Sequence, residues 1–185
     1  MIEDLIQDAV RRMDKSVETT QHEFNSIRTG RASAALLDHV TVDYYGTPTP
    51  LNQLSTINVP EPRLLTVQPF DPSSLKAIEK AIMESDLGLT PSNDGKIIRL
   101  PIPQLTEERR RELVRLVRQR AEEGRVAVRN VRRDVMHHLK ELAANGEVQA
   151  DEEHRAEERV QKLTDEHVHR IDELLKRKEA EILEV

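Results

Sequence analysis

The chain has 185 residues, of which 34% are charged and 37% apolar, with a net charge of −6 and no cysteine or tryptophan. The lack of cysteine excludes a disulfide framework and a thiolate metal site. The longest unbroken apolar run, residues 34–37, is far shorter than the ~20 residues of a membrane span, and the acidic N-terminus is unlike a secretory signal. This composition predicts a soluble cytosolic protein with long solvated helices.

The prolines divide the chain into three parts. All nine lie between Pro48 and Pro103, and a proline inside a helix costs about 3 kcal/mol. The two flanks are therefore free to form long helices, whereas the middle of the chain must fold differently.

Apolar residues in the flanks recur at the helical steps of three and four. They predict one helix over residues 2–29, a second that begins after Thr106 and ends at Asn145-Gly146, and a third through residues 156–182. The linker between the last two is short, which favours antiparallel neighbours. The stripe of the first helix comprises Ile6, Val10, Met13, Val17, Thr20, Phe24 and Ile27. Three such stripes in one chain predict an elongated three-helix bundle, and because the stripes can bury one another, a monomer.

The middle part predicts a small mixed α/β module inserted into the bundle. Val40, Val42 and Tyr44 alternate with polar residues, and Asp71-Pro72 is typical of a helix start. The fold class is therefore mainly α, with a bundle of residues 1–30 and 105–185 and a module of residues 31–104. The chain crosses between the two parts only twice, which favours a hinge at the crossings; a rigid bend held by an interdomain interface is the alternative.

Charge is segregated along the chain. Residues 107–140 hold 11 basic and 6 acidic side chains, a net charge of +5, whereas residues 141–185 hold 7 basic and 14 acidic, a net charge of −7. Helical spacing places six arginines of the second helix on one stripe, with Glu122 interrupting the row: Arg111, Arg115, Arg118, Arg125, Arg129 and Arg132. The stripe is either a solvated flank paired with acids of the third helix or a surface for structured RNA, because arginine is an effective phosphate fork.

Motifs for catalysis, metal binding and nucleotide binding are absent from the sequence. The six glycines are never closer than seven positions, so neither a dinucleotide-binding turn nor a phosphate-binding loop is present. The histidine pairs His137-His138 and His167/His169 do not share a helix face well. We therefore predict no catalytic residue, no metal site and no cofactor.

Five strings carry a family resemblance. They are Ile27–Ala32, Asp43–Gly46, Ser85–Gly88, Pro103–Arg110 and Val128–Arg133. In this order and at this chain length, the sequence resembles the bacterial ribosome recycling factors from end to end.

The resemblance implies a non-enzymatic translation factor of the cytoplasm. Such factors act with elongation factor G and its GTP hydrolysis to split post-termination ribosomes into subunits and release them from mRNA. It also implies an L-shaped molecule, in which a three-helix bundle contacts large-subunit ribosomal RNA and a hinged module faces the elongation factor. The alternative function is a helical-bundle adaptor that offers its apolar seam to a partner protein.

Residue by residue, the resemblance implies two sets of functional positions. The hinge set comprises Gly30, Arg31, Ala32, Gln104, Leu105 and Thr106. The set expected to contact ribosomal RNA comprises Arg28, Arg31, Arg129, Arg132 and Arg133. Exposed candidates for contact with the elongation factor are Asp43, Lys76 and Lys96.

Overall fold

The computed structural model describes residues 1–184, which form two compact units. One unit is Met1–Thr29 together with the chain from Glu107 onward, and the other is Gly30–Thr106. In chain order the elements are α1 (Ile2–Asn25), β1 (Thr41–Tyr44), β2 (Thr47–Pro50), α2 (Leu51–Leu54), β3 (Ser55–Glu61), β4 (Leu64–Pro69), α3 (Leu75–Glu84), β5 (Ser92–Asn93), β6 (Ile98–Pro101), α4 (Glu107–Ala144) and α5 (Ala150–Leu183), with short 3-10 helices at Ala34–Leu37 and Pro72–Ser74.

The first unit is the three-helix bundle that the apolar stripes predict. Helices α1, α4 and α5 all contact one another, and their apolar residues form the buried interior. Gly146 ends the turn after α4 with a φ of +72°, and the amide of Glu147 donates to the Leu142 carbonyl oxygen at 2.9 Å. This tight turn brings α5 back alongside α4 in the antiparallel direction.

The first helix differs from the prediction in two details. It ends at Asn25 rather than near Thr29. The Ser26 hydroxyl donates to the Glu23 carbonyl oxygen at 2.7 Å, and this side-chain hydrogen bond takes the place of the backbone hydrogen bond that this carbonyl would accept in a longer helix. Ala9 is fully buried, whereas Val10 is only partly so. Successive side chains point about 100° apart around a helix, so the buried face of α1 is centred closer to Ala9 than to Val10.

A buried histidine joins α5 to α1. His167 is only 4% exposed and lies in the row of buried α5 residues. Its Nδ1 donates to the Leu163 carbonyl oxygen at 2.6 Å, and its Nε2 lies 2.7 Å from Asp14 Oδ1. Arg170 donates to the same Asp14 oxygen at 2.9 Å. The hydrogen bond from His167, with a smaller contribution from Arg170, holds the pKa of Asp14 below its usual value.

Acidification should weaken the bundle through Asp14. Because its folded-state pKa is lowered, its stabilising contribution is complete above the unfolded pKa of about 3.9 and is lost as the pH falls through the folded pKa. At neutral pH, Asp14→Ala should lower the free energy of unfolding by about 1–3 kcal/mol, because the buried His167 loses an acceptor. Urea unfolding followed by circular dichroism measures this difference, which should shrink below about pH 4.

The control for this prediction is Asp165→Ala. Asp165 is exposed on α5 and accepts a hydrogen bond from Gln161 of the same helix, so its removal should change the free energy of unfolding by less than about 0.5 kcal/mol. A difference between the wild type and Asp14→Ala that stays constant from neutral to strongly acidic pH would show that the pairing does not contribute as described.

The second unit is a small α/β module. Its four-stranded antiparallel sheet has the order β3-β4-β6-β5, and β1 and β2 form a separate antiparallel hairpin. The side chain of Asp71 accepts from the Ser73 amide and so caps the Pro72–Ser74 helix, as the Asp-Pro pair predicts. Helix α3 packs its apolar face on β1 and the sheet, around a core that includes Val42, Leu65 and Ile78.

Candidate nucleic-acid interface

The predicted arginine stripe lies on helix α4, whose backbone is helical throughout. The 38 residues of α4 are one continuous helix, about 57 Å long at 1.5 Å per residue. Arginines three and four positions apart therefore lie on one side of the rod, next to α5. The structure then separates these arginines by what they contact.

Two arginines of the stripe are used to hold the bundle together. Arg118 Nε donates to Glu179 Oε1 of α5 at 2.6 Å, and Arg125 Nε donates to Asp172 Oδ1 of α5 at 2.7 Å. Burial alone would lower the pKa of Arg125, but its hydrogen bonds to Asp172 and Glu122 outweigh burial and raise it. For these two positions, pairing with acids of the third helix is the correct interpretation.

The arginines nearer the C-terminal end of α4 are different. Arg132 donates to Gln161 Oε1 at 3.4 Å and Arg133 donates to Asn130 Oδ1 at 3.0 Å, so both contact neutral amides. Arg129 lies 3.6 Å from Glu122 in a half-exposed ion pair, a kind of pair that contributes little. Within residues 1–184, the charges of Arg132 and Arg133 are therefore not neutralised by an ion pair. These three guanidinium groups form the basic cluster of α4.

The predicted RNA-contacting residues fall at two separate places. Thr29, next to the exposed Arg28, donates to Glu181 of α5 at 3.5 Å, whereas Arg132 contacts Gln161 of the same helix. Twenty residues of α5 separate these two contacts, which is about 30 Å along the bundle. Arg31 is exposed and belongs to the second unit. The structure thus brings together Arg129, Arg132 and Arg133 but not Arg28.

The segments predicted as a hinge pack against each other inside the second unit. Gly30 has a φ of +77°, and a Cβ at this position would lie 3.0 Å from the Leu105 side chain, so the site requires glycine. The Ala32 amide donates to the Pro62 carbonyl oxygen at 2.7 Å, and the Ile102 amide donates to the Arg63 carbonyl oxygen at 2.8 Å. Both connecting segments are therefore anchored to the turn between β3 and β4.

Sequence reasoning missed the Asp14–His167 contact. The signal was present, because His167 follows Val160 and Thr164 at helical spacing and precedes Ile171 by four residues. Its role is to stabilise the bundle, since the ring is buried between helices and away from the basic cluster of α4. Within residues 1–184, no group of three acidic, histidine or cysteine side chains is arranged to hold a metal ion. No helix in that part of the chain is both long and apolar enough to cross a membrane.

Comparisons with known proteins identify the family. The family model described as "Ribosome recycling factor" matches residues 20–183. The ribosome-recycling factor of Rubrobacter xylanophilus is 61% identical over 180 residues, which cover 97% of each chain.

Two solved structures are similar over the whole chain. One is a solution structure of a ribosome recycling factor, with 46% identity, a TM-score of 0.75 and coverage of 98% of that chain. The other is 51% identical, with a TM-score of 0.64 and full coverage, and presents models for the T. thermophilus ribosome recycling factor and the E. coli elongation factor G bound to the E. coli post-termination complex. These matches agree with the bundle and the inserted module, and the chain belongs to the ribosome recycling factor family.

Proposed function

We propose that this chain acts with elongation factor G and GTP to split post-termination ribosomes into subunits and release them from mRNA. Ribosome recycling factors are translation factors rather than enzymes. The observation that carries the proposal is the full-length similarity to a relative that has been placed with elongation factor G on a post-termination complex. The proposal includes a cytoplasmic location and a monomeric state, with the ribosome and the elongation factor as partners.

In this proposal the basic cluster of α4 anchors the bundle on large-subunit ribosomal RNA. Arginine presents a planar fork that matches phosphate, and a guanidinium without a carboxylate partner gives up no ion pair when it binds RNA. Arg129, Arg132 and Arg133 supply one contact region on the bundle, and Arg28 of the bundle and Arg31 of the module are further proposed contacts. Because α4 is continuous and packs along α5, the bundle is a stiff rod that can transmit force between contacts.

The proposed hinge lets elongation factor G move the module while the bundle stays bound. It comprises the segments Gly30–Ala32 and Gln104–Thr106. The anchored amides of Ala32 and Ile102 belong to the module. Rotation is therefore concentrated in the hinge bonds between these amides and the helices, around Gly30-Arg31 on one side and Gln104–Thr106 on the other.

The adaptor alternative has less support. It requires an apolar seam that is available to a partner helix, but the stripes of α1, α4 and α5 are buried against one another. Within residues 1–184, the apolar stripes that an adaptor would offer are therefore already covered by one another.

Binding to ribosomes should depend strongly on salt. Each phosphate contact that an arginine neutralises should contribute about −0.7 to the slope of log affinity against log salt concentration. Co-sedimentation of the purified chain with ribosomes, at a series of salt concentrations, measures this slope. Pelleting at low salt that is lost at high salt supports RNA anchoring, a flat response argues against phosphate contacts, and the adaptor alternative predicts no pelleting.

A further inference from the structure

A tyrosine occupies a turn position that disfavours it. The hairpin of β1 and β2 is joined by Tyr45 and Gly46, with φ values of +50° and +83°. Positive φ at both central residues defines a type I′ turn, in which asparagine, aspartate or glycine normally takes the first place. Tyr45 is the only residue other than glycine with positive φ among residues 1–184. Asparagine would hold the same turn with less strain.

Burial does not compensate for this strain. The Tyr45 side chain is 80% exposed, more than any other large hydrophobic residue in the part of the chain that the structure describes. Because most of the ring lies in solvent, Tyr45 gains little from burial in the free protein, and its contact there is with the neighbouring Tyr44 ring. Binding to a partner therefore explains the presence of a strained, exposed tyrosine at position 45 better than folding does.

The surroundings fix the direction in which Tyr45 is presented. Its ring meets the Tyr44 ring edge-on, with centroids 4.6 Å apart, and the Tyr44 hydroxyl donates to Asp71 Oδ2 at 3.2 Å. Phe70, which precedes Asp71, is itself 66% exposed. Three of the four aromatic residues of the chain therefore belong to this one region of the module.

The charge next to the aromatic residues indicates a protein rather than RNA. Hydrogen bonds from Ser73 hold the pKa of Asp71 below its usual value, so its carboxylate is negative at neutral pH. Asp43 is exposed two residues before Tyr45. Two carboxylates repel a phosphate backbone, whereas an exposed tyrosine is typical of the residues that dominate protein–protein contacts.

We propose that Tyr45 is a docking residue that inserts into an apolar cleft, edged by basic side chains, on elongation factor G. This inference rests on the proposed function, which supplies that partner. It assigns recognition of the elongation factor to the β1–β2 hairpin, on a different unit from the basic cluster of α4.

The variant Tyr45→Asn separates recognition from folding. Both tyrosines of the chain lie in the module, so tyrosine fluorescence reports unfolding of that unit alone, and Tyr44 remains as the reporter in the variant. Because asparagine suits the turn, the Tm of the module should rise by roughly 2–6 °C. A fall in Tm would show that Tyr45 is retained for folding and would overturn the proposal.

The functional test measures splitting of post-termination ribosomes as a function of elongation factor G concentration. For Tyr45→Asn, the concentration that gives half the maximal rate should rise at least about tenfold, whereas Tyr45→Phe should resemble the wild type. Co-sedimentation with ribosomes in the absence of the elongation factor should be unchanged. The matched control is Met83→Gln, which removes another exposed apolar side chain of the module and should have no effect.

Other outcomes would overturn the proposal. An unchanged concentration dependence would remove Tyr45 from recognition, and an equal effect of Met83→Gln would show that the loss is not specific. A loss of co-sedimentation would assign Tyr45 to the ribosome instead, through a ribosomal protein or a stacked RNA base. If the wild type itself fails to split ribosomes, the proposed function fails, a result distinct from all of these.

Discussion

Reversal of charge at Arg132 should weaken binding of the chain to ribosomes at least about tenfold. A charge-assisted hydrogen bond contributes about 1.5–3 kcal/mol, and each 1.4 kcal/mol corresponds to roughly a factor of ten in affinity. Arg132→Glu removes such a bond to RNA and adds a repulsive charge, whereas its cost within the described residues is a long hydrogen bond of 3.4 Å to Gln161. Quantitative co-sedimentation with ribosomes at low salt measures the change. Arg129→Glu should have a similar effect, because its ion pair with Glu122 is half-exposed and weak.

The matched control is Arg155→Glu, which changes the net charge by the same amount. Arg155 lies one helical turn before Arg159, which donates to Glu3 of α1. Arg155 is therefore on the side of α5 near α1, whereas Gln161 is on the side that contacts Arg132 of α4. Arg155 is exposed, and among residues 1–184 its ion-pair partner is Asp151 of its own helix. Its reversal should leave ribosome binding nearly unchanged. If Arg129→Glu and Arg132→Glu both bind as the wild type does, or if Arg155→Glu loses affinity equally, the basic cluster of α4 is not the anchor.

Substitution of Gly124 should destabilise the bundle more than other changes of one methyl group. A Cβ at this position would overlap the Thr20 hydroxyl of α1 and approach Ile171 of α5 to 3.2 Å. Gly124→Ala should therefore lower the free energy of unfolding by about 1–2 kcal/mol, the overpacking cost reduced by the better helix propensity of alanine. The larger Gly124→Leu should cost about 3 kcal/mol or more. Urea unfolding followed by circular dichroism at 222 nm measures both.

A double variant identifies the cause. Thr20→Ala removes the overlapping hydroxyl and leaves its Cβ, which would lie 3.4 Å from the new methyl group, an ordinary contact. In that background the cost of Gly124→Ala should fall to near zero, because the helix propensity of alanine then offsets the remaining 3.2 Å approach to Ile171. If Gly124→Ala costs the same in both backgrounds, close approach between α1 and α4 is not why glycine occupies this position.

The bundle could be predicted because its signals are local and repeat many times. The confinement of the prolines to residues 48–103 leaves two flanks free for helices, and apolar residues at steps of three and four then identify the buried face. Gly124 interrupts the helix propensity of α4 yet lies on this face, which indicates the close approach that the structure shows. The resemblance to ribosome recycling factors rests on strings distributed along the whole chain, so the amino-acid sequence alone indicates the family.

The division of the arginine stripe could not be predicted. Spacing places Arg118, Arg125 and Arg132 on one side of α4, but only the packing of α5 decides which of them meets an acid. Arg118 and Arg125 meet Glu179 and Asp172, whereas Arg132 meets Gln161. The left-handed conformation of Tyr45 likewise escapes sequence reasoning, because tyrosine is a poor residue for such a turn. The turn preference of tyrosine and the observed backbone disagree at Tyr45, and this disagreement is the reason that we propose a docking role for the residue.

The most direct test is the splitting of post-termination ribosomes followed by light scattering. Purified chain, elongation factor G and GTP are mixed with such ribosomes, together with a factor that blocks reassociation of the subunits. The proposed function predicts a fall in scattering that requires both this chain and the GTPase, and that Arg132→Glu slows. No fall in scattering, with an elongation factor G known to work with a related recycling factor and with the chain shown to be folded, would contradict it.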